Sequence, residues 1–318
     1  MRYLCEAYQL GIAIRNELEE PDLVTMFENP YHLGCGGIPR VEPEIATFHR
    51  DRRVRSSMPT VTREGVALYY ETDGAGETVA FIPDAGYGAW LWGWQHGAVA
   101  GPHEALVWDL RGTGRSDAPP GPYDVDALAA DFEAVLADAG VRRVHVVGAG
   151  LGGMVALRHA REYDRARTLI LLGTANSGDE VDGAALRALH PSTDDGSALR
   201  ESLDGALSPA VREARPDLLE RVRAWRADED AGPEATEAQI AAAVAFEAGP
   251  LYELTLPVLV CHGIDDPVVP SEAGQRLAGD LPRGEFEPVE GRHLCFVEHA
   301  RAVTDRLLAY LDEHADED

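Results

Sequence analysis

Four glycines crowd into a short junction, Val146-Val147-Gly148-Ala149-Gly150-Leu151-Gly152-Gly153-Met154. An apolar strand-type segment enters it and a helix-type segment leaves it. Glycine has no Cβ, so it tolerates left-handed backbone and lets two backbones approach closely. A buried strand that feeds directly into a helix through such a turn belongs to a layered α/β fold. Residues 148–153 also fit the spacing G-x-G-x-x-G of a dinucleotide-binding turn. That fingerprint usually follows the first strand of its unit. This one follows the fourth or fifth, so its position argues against a nucleotide site.

The flanking pattern alternates strands and helices. Residues 66–71, 78–83, 105–109, 143–147 and 168–172 read as strands, with a turn over residues 72–76. Residues 126–139 have helical spacing, with Leu128, Phe132, Val135 and Leu136 on one face, and residues 151–162 read as the helix after the junction. The alternation stops over residues 177–250, which are rich in Asp, Glu, Ala and Arg and carry helical patches near 184–189, 200–207, 218–227 and 237–246. Ile240, Val244, Phe246 and Leu251 supply apolar contacts there, which argues for an inserted helical lid over a disordered insertion. Strand-type sequence resumes at residues 257–261, and a last helix is expected over 302–313. The core is therefore assigned to residues 58–176 and 251–318, and the lid to 177–250.

Several segments, in order, resemble those of the α/β-hydrolase superfamily over roughly residues 60–315. Residues 107–117 contain Asp109-Leu110-Arg111-Gly112-Thr113-Gly114-Arg115-Ser116, similar to a D-x-R-G-x-G-x-S loop. Asp109 and Arg111 are expected to brace it by hydrogen bonds. Gly148–Gly152 stands where that family carries the nucleophile elbow G-x-S-x-G, a strained strand-to-helix turn. The resemblance implies an α/β-hydrolase fold: a mostly parallel central sheet flanked by helices, with an inserted helical lid.

The same resemblance implies site residues. Gly150 holds the nucleophile position and has no side chain to be acylated. His262-Gly263-Ile264-Asp265-Asp266-Pro267 resembles the acid-bearing loop, with Asp266 as the acid and Asp265 as the alternative. Gly291-Arg292-His293 resembles the loop that carries the catalytic base. Backbone N–H groups of Gly86 and Leu151 would form the oxyanion hole. The usual His-Gly after the first parallel strand is replaced by Asp84-Ala85, which puts a negative charge near a developing oxyanion. Asp84 and Trp90 are expected at the pocket, with Trp90 lining or bracing its mouth, or else packing in the core. Cys295 is a remote substitute nucleophile, and Ser177, Ser192 and Ser197 of the lid are further candidates.

Charge and cysteine content narrow the setting. The formal net charge is −27 and every one of the 28 basic residues is arginine. Such a chain repels nucleic acid and anionic membranes, which leaves a small molecule as the expected ligand or substrate. Adaptation to a salt-rich interior is expected, because salt relieves self-repulsion. The four cysteines form neither a disulfide framework nor a zinc motif. No cofactor or metal is called for. Without a signal-peptide pattern or a membrane-length apolar run, a cytoplasmic location is expected. Residues 1–57 lack clear periodicity and end in a basic run, so they are either an N-terminal extension or sequence upstream of a start at Met58.

Two functions follow as expectations. One is an enzyme related to small-molecule ester and lactone hydrolases, working without a serine, in which the Asp266–His293 dyad acts as general base on water or substrate. The other is a non-catalytic relative that binds a ligand or a partner.

Overall fold

The computed structural model describes residues 59–191 and 196–315. The expectations for residues 1–57, the start at Met58 and Ser192 lie outside them. Eight strands form one sheet: β1 (Thr60–Arg63), β2 (Val66–Gly74), β3 (Thr78–Ile82), β4 (Glu104–Trp108), β5 (Val144–Ala149), β6 (Ala166–Leu172), β7 (Val258–Gly263) and β8 (Gly284–Val289). Their spatial order is β1-β2-β4-β3-β5-β6-β7-β8. β1–β2 and β2–β4 pair antiparallel, and the remaining neighbours are parallel. This is the α/β-hydrolase fold that the family resemblance implies.

Burial follows position in the sheet. Every residue of β3, β5 and β7 is buried, as expected for parallel strands covered on both faces. The edge strand β1 alternates exposed and half-buried residues. Edge strand β8 does nearly the same and contains Pro288, which hid it among turn-like residues. β2 continues to Gly74, three residues past the expected strand end, because it keeps pairing with β4 through Gly74 opposite Glu104. The turn signal of Thr72 to Gly76 thus overlaps the strand end.

The helices are α1 (His96–Val99), α2 (Val125–Asp138), α3 (Leu151–Glu162), α4 (Gly183–Ala188), α5 (Gly196–Ala206), α6 (Pro209–Ala214), α7 (Pro216–Glu229), α8 (Pro233–Val244), α9 (Ser271–Asp280), α10 (Cys295–Glu298) and α11 (Ala300–Glu313). Asp124 caps α2 by accepting from Ala127 N at 2.7 Å. Leu128, Phe132, Val135 and Leu136 are buried, and Phe132 stacks on Trp108 of β4 at 5.7 Å. Helices α4 to α8 all lie between β6 and β7, where the helical patches were expected; α6 and the core helix α9 carried no clear sequence signal.

The loops that matter leave the C-terminal ends of parallel strands. β3 runs into Asp84, β5 into Gly150, β7 into Asp266 and β8 into His293. Ligand sites of open α/β sheets form at this edge.

Candidate active site

Gly150 keeps the backbone of an elbow without the side chain. Its φ is +48° and ψ −116°, and its N–H donates to Leu172 O at 2.9 Å. An L-residue is strained at this conformation, and glycine is not. Close packing makes a second demand at Gly152, where a Cβ would stand 2.2 Å from Ile82 O.

The space beside Gly150 belongs to Asp84. A Cβ built on Gly150 would fall 1.9 Å from Asp84 Oδ1. That oxygen accepts the N–H of Leu151 and the N–H of Ala85, each at 2.7 Å. Asp84 Oδ2 lies 2.9 Å from His293 Nε2. On the far side of the ring, His293 Nδ1 lies 2.8 Å from Asp266 Oδ2. Asp84, His293 and Asp266 are 1%, 3% and 8% exposed, so these contacts are shielded from water.

Asp266 is pinned on every side. Its Oδ1 accepts from Val268 N at 2.8 Å and Val269 N at 3.1 Å. Its Oδ2 also faces His262 Nε2 at 3.3 Å, a ring nitrogen that donates to Val269 O at 2.8 Å. Asp265 is exposed, and the contacts to His293 run through Asp266. Burial alone would raise the Asp266 pKa. His293 and the hydrogen bond from His262 outweigh it and hold the carboxyl well below the ordinary range.

His293 shows the opposite balance. Burial favours its neutral form, but Asp266, and then Asp84, overcome that and push its pKa up to about 10. Both ring nitrogens therefore donate at neutral pH. His293 stands between the carboxyl groups of Asp84 and Asp266. A general base needs a free lone pair, and each nitrogen of this ring is engaged by a carboxyl group.

Both expected oxyanion donors are already engaged. Leu151 N–H is taken by Asp84. Gly86 N–H donates to Gln239 Oε1 at 2.7 Å. Gln239 is fully buried on α8, and its Nε2 donates to Arg111 O at 2.8 Å. Sequence reading missed Gln239, which stands between Ala238 and Ile240 with no motif to mark it. The ring of His190 covers Gly86 so closely that a Cβ there would meet it at 2.5 Å. A cavity of about 90 Å³ lies alongside, lined by His190, Arg226, Asp230 and neighbours.

The remaining candidates fall elsewhere. Trp90 is 1% exposed; its ring packs near Tyr87, Trp94 and Trp225, and its Nε1 donates to Asp230 Oδ1 at 2.8 Å. It is packed in the core, where it ties the loop after β3 to the end of α7. Asp109 accepts from Ala89 N and Arg115 N, and Arg111 pairs with Asp131 at 2.6 Å, so both brace the loop after β4. Ser177 bonds Glu247 at 2.8 Å, and Ser197 is exposed beside Glu201. Burial pushes the Cys295 thiol well above its ordinary pKa, which keeps it from forming a thiolate. Among the described residues, no group of three or more His, Cys, Asp or Glu is arranged to hold a metal ion, and no helix is long and apolar enough to cross a membrane.

Residues 79–306 match the model of the alpha/beta hydrolase family. The chain is 32% identical over 269 residues to a Caulobacter segnis protein named "Putative carbamate hydrolase RutD", covering 80% of this chain and 99% of that one. It is 27% identical to 3-oxoadipate enol-lactonase 2 of Acinetobacter baylyi, covering 79% of this chain and 96% of that one. Among solved structures, the enol-lactonase from Burkholderia xenovorans superposes with a TM-score of 0.72 at 24% identity, over 80% of this chain and all of that one.

Proposed function

The chain belongs to the alpha/beta hydrolase family, and within it we propose that this member is a pseudo-hydrolase toward esters, lactones and carbamates. One observation carries this reading. The Asp84 carboxylate fills the nucleophile's space, takes the Leu151 N–H and holds the proton of His293 at the same time. Acyl transfer needs a side chain to acylate, a base to take its proton and empty donors for the oxyanion. The first is missing at Gly150, and the other two are engaged by Asp84 and Gln239.

The alternative, a general base acting on water through the Asp266–His293 dyad, is less well supported. It needs a neutral His293, and the two flanking carboxylates keep that ring protonated. In the favoured reading, residues 177–250 act as a lid that closes the centre, with Gln239 reaching in from α8 to cap Gly86. The core comprises residues 58–176 and 251–318. The ligand is a small molecule, no cofactor is used, and the setting is the cytoplasm.

Incubation with phenyl acetate, a small lactone and a fluorophosphonate probe tests the reading. The expected result is hydrolysis at the buffer rate and no labelling. An acyl burst, or a label on any residue of the centre, would overturn it.

A further inference from the structure

Residues 229–231, at the end of α7, tie the helical segment 177–250 to two loops of the core. Trp90 N donates to Glu229 Oε2 at 3.3 Å, and Gly114 N donates to Glu229 O at 2.8 Å. Trp90 Nε1 donates to Asp230 Oδ1 at 2.8 Å, and Ala231 N donates to Gly86 O at 2.9 Å. Gly86 and Trp90 belong to the loop after β3 that begins near Asp84, and Gly114 belongs to the loop after β4. Glu229 is packed so closely there that a Cβ on Gly88 would stand 2.7 Å from the Glu229 Cβ.

The side chain at this junction is an acid beside another acid. Glu229 and Asp109 line one cavity of about 20 Å³, room for roughly one water. Asp109 is 4% exposed, and its two oxygens accept from Ala89 N at 3.2 Å and Arg115 N at 3.0 Å. The nearby cations are committed elsewhere. Arg115 reaches the same cavity, but its guanidinium pairs with Glu71 of β2 at 2.8 Å and donates to the Tyr69 hydroxyl. Within α7, Arg226 pairs with Asp230 at 2.7 Å. Two carboxylates across so small a space repel, whereas a carboxylic acid and a carboxylate do not.

We propose that Glu229 is a proton-held latch: its carboxylic acid keeps the lid segment on the core, and loss of that proton lets residues 229–231 lift from the loop over Asp84. The proposal goes beyond the pseudo-hydrolase reading. That reading concerns what the closed centre cannot do, and the latch decides when the centre is closed.

Burial, and then the Asp109 carboxyl, push Glu229 from 4.5 up to about 7 in the closed form. Lifted into water, the group returns to its ordinary value. Its contribution to closure is therefore complete below 4.5 and is lost as pH rises to about 7. Asp109, raised by burial from 3.8 to about 6, acts in the same direction. Across this window closure should weaken on the order of 100-fold, since each pKa unit between the two forms is worth about tenfold.

Trp90 packs 6.3 Å from Trp94 and 6.2 Å from Trp225 of α7, so lifting α7 from the loop exposes indoles. The full chain should show red-shifted tryptophan emission and stronger acrylamide quenching at pH 8 than at pH 5. Glu229→Gln keeps an acceptor for Trp90 N but cannot ionise, and should show neither change. Hydrogen exchange at the Gly114 and Ala231 amides locates the opening. Read against Glu229→Gln at the same pH, so that intrinsic rates cancel, wild type should open on the order of 100-fold more often at pH 8 and within a few-fold at pH 5. Equal exchange of the two proteins at pH 8 would overturn the proposal. So would faster exchange shared by β3, β5 and β6, which would mark loosening of the whole fold. If Glu229→Gln does not fold, wild-type emission still decides, because no red shift between pH 5 and pH 8 removes the latch. The pseudo-hydrolase reading is judged separately by phenyl acetate, so either idea can fail alone.

Discussion

Asp84 Oδ1 occupies the place a side chain at Gly150 would need, with only 1.9 Å between that oxygen and the position a Cβ would take. The two residues are mutually exclusive as a carboxylate and a serine. This relationship changes what a rescue experiment must look like. Gly150→Ser alone should restore no esterase activity. It should destabilise the fold by about 2–5 kcal/mol, since overpacking and positive φ act together. Asp84→Gly combined with Gly150→Ser removes the clash and frees the Leu151 N–H. That pair should recover most of the lost stability and gain an ester burst that neither single change shows. Melting temperature and phenyl acetate kinetics on the three variants check this, and a single Gly150→Ser that folds and hydrolyses would contradict it.

The ion triad predicts a pH dependence with a definite sign. A folded pKa near 10 for His293, against an ordinary value of 6.5, contributes stability that is complete below 6.5 and is lost between there and about 10. Asp266, depressed in the fold, contributes stability that is present above its ordinary value of 3.8 and is lost as pH falls through its folded value. Burial raises Asp109 from 3.8 to about 6 and Glu229 from 4.5 to about 7, so their losses on raising pH fall in those lower windows and are nearly complete where the His293 loss begins. Melting temperature should fall steadily from pH 6.5 to 10. Asp84→Asn removes one charge beside His293 and should flatten the alkaline part of that fall. An Asp84→Asn curve parallel to wild type would show that Asp84 does not hold the proton.

Much of this architecture is legible in the sequence, for physical reasons. The mostly apolar runs of β3, β5 and β7 announce parallel strands, and glycines announce the turn at Gly150. Asp266 and His293 stand in short segments whose neighbours identify them. Asp84 is likewise visible as a negative charge near the oxyanion hole. How that charge is used is not visible, because Asp84 lies 67 residues from Leu151 and 209 from His293. A rotamer that reaches across two loops leaves no local pattern. Gln239 was invisible for the same reason: it caps a residue 153 positions away from within an alanine-rich helix.

Gln239 yields a prediction about the closed centre. Its amide satisfies Gly86 N–H and Arg111 O, both at the buried junction of α8 with the sheet. Gln239→Leu keeps the volume and leaves both backbone groups without their partner. An unsatisfied buried polar group costs about 1–3 kcal/mol, so a loss of ~2–5 kcal/mol is expected from urea unfolding. Gln239→Glu retains the acceptor for Gly86 but has no N–H for Arg111 O, and should cost less. Equal stability of Gln239→Leu and wild type would remove Gln239 from the role of cap.

The net charge of −27 predicts a response to salt that runs against the usual weakening of surface ion pairs. Exposed pairs such as Arg187–Glu237, at 49% and 57% exposure, are each worth only about 0–1 kcal/mol and are lost gradually as salt rises. Repulsion among the excess carboxylates acts over longer distances. Its range falls from about 10 Å at 0.1 M salt to about 3 Å at 1 M. The long-range term should dominate, so the melting temperature should rise in molar KCl, by roughly 2–4 °C for each kcal/mol of repulsion relieved. Thermal melts across a KCl series check the sign. A flat or falling series would mean that the local ion pairs outweigh the net charge, and the inference of adaptation to a salt-rich interior would be withdrawn.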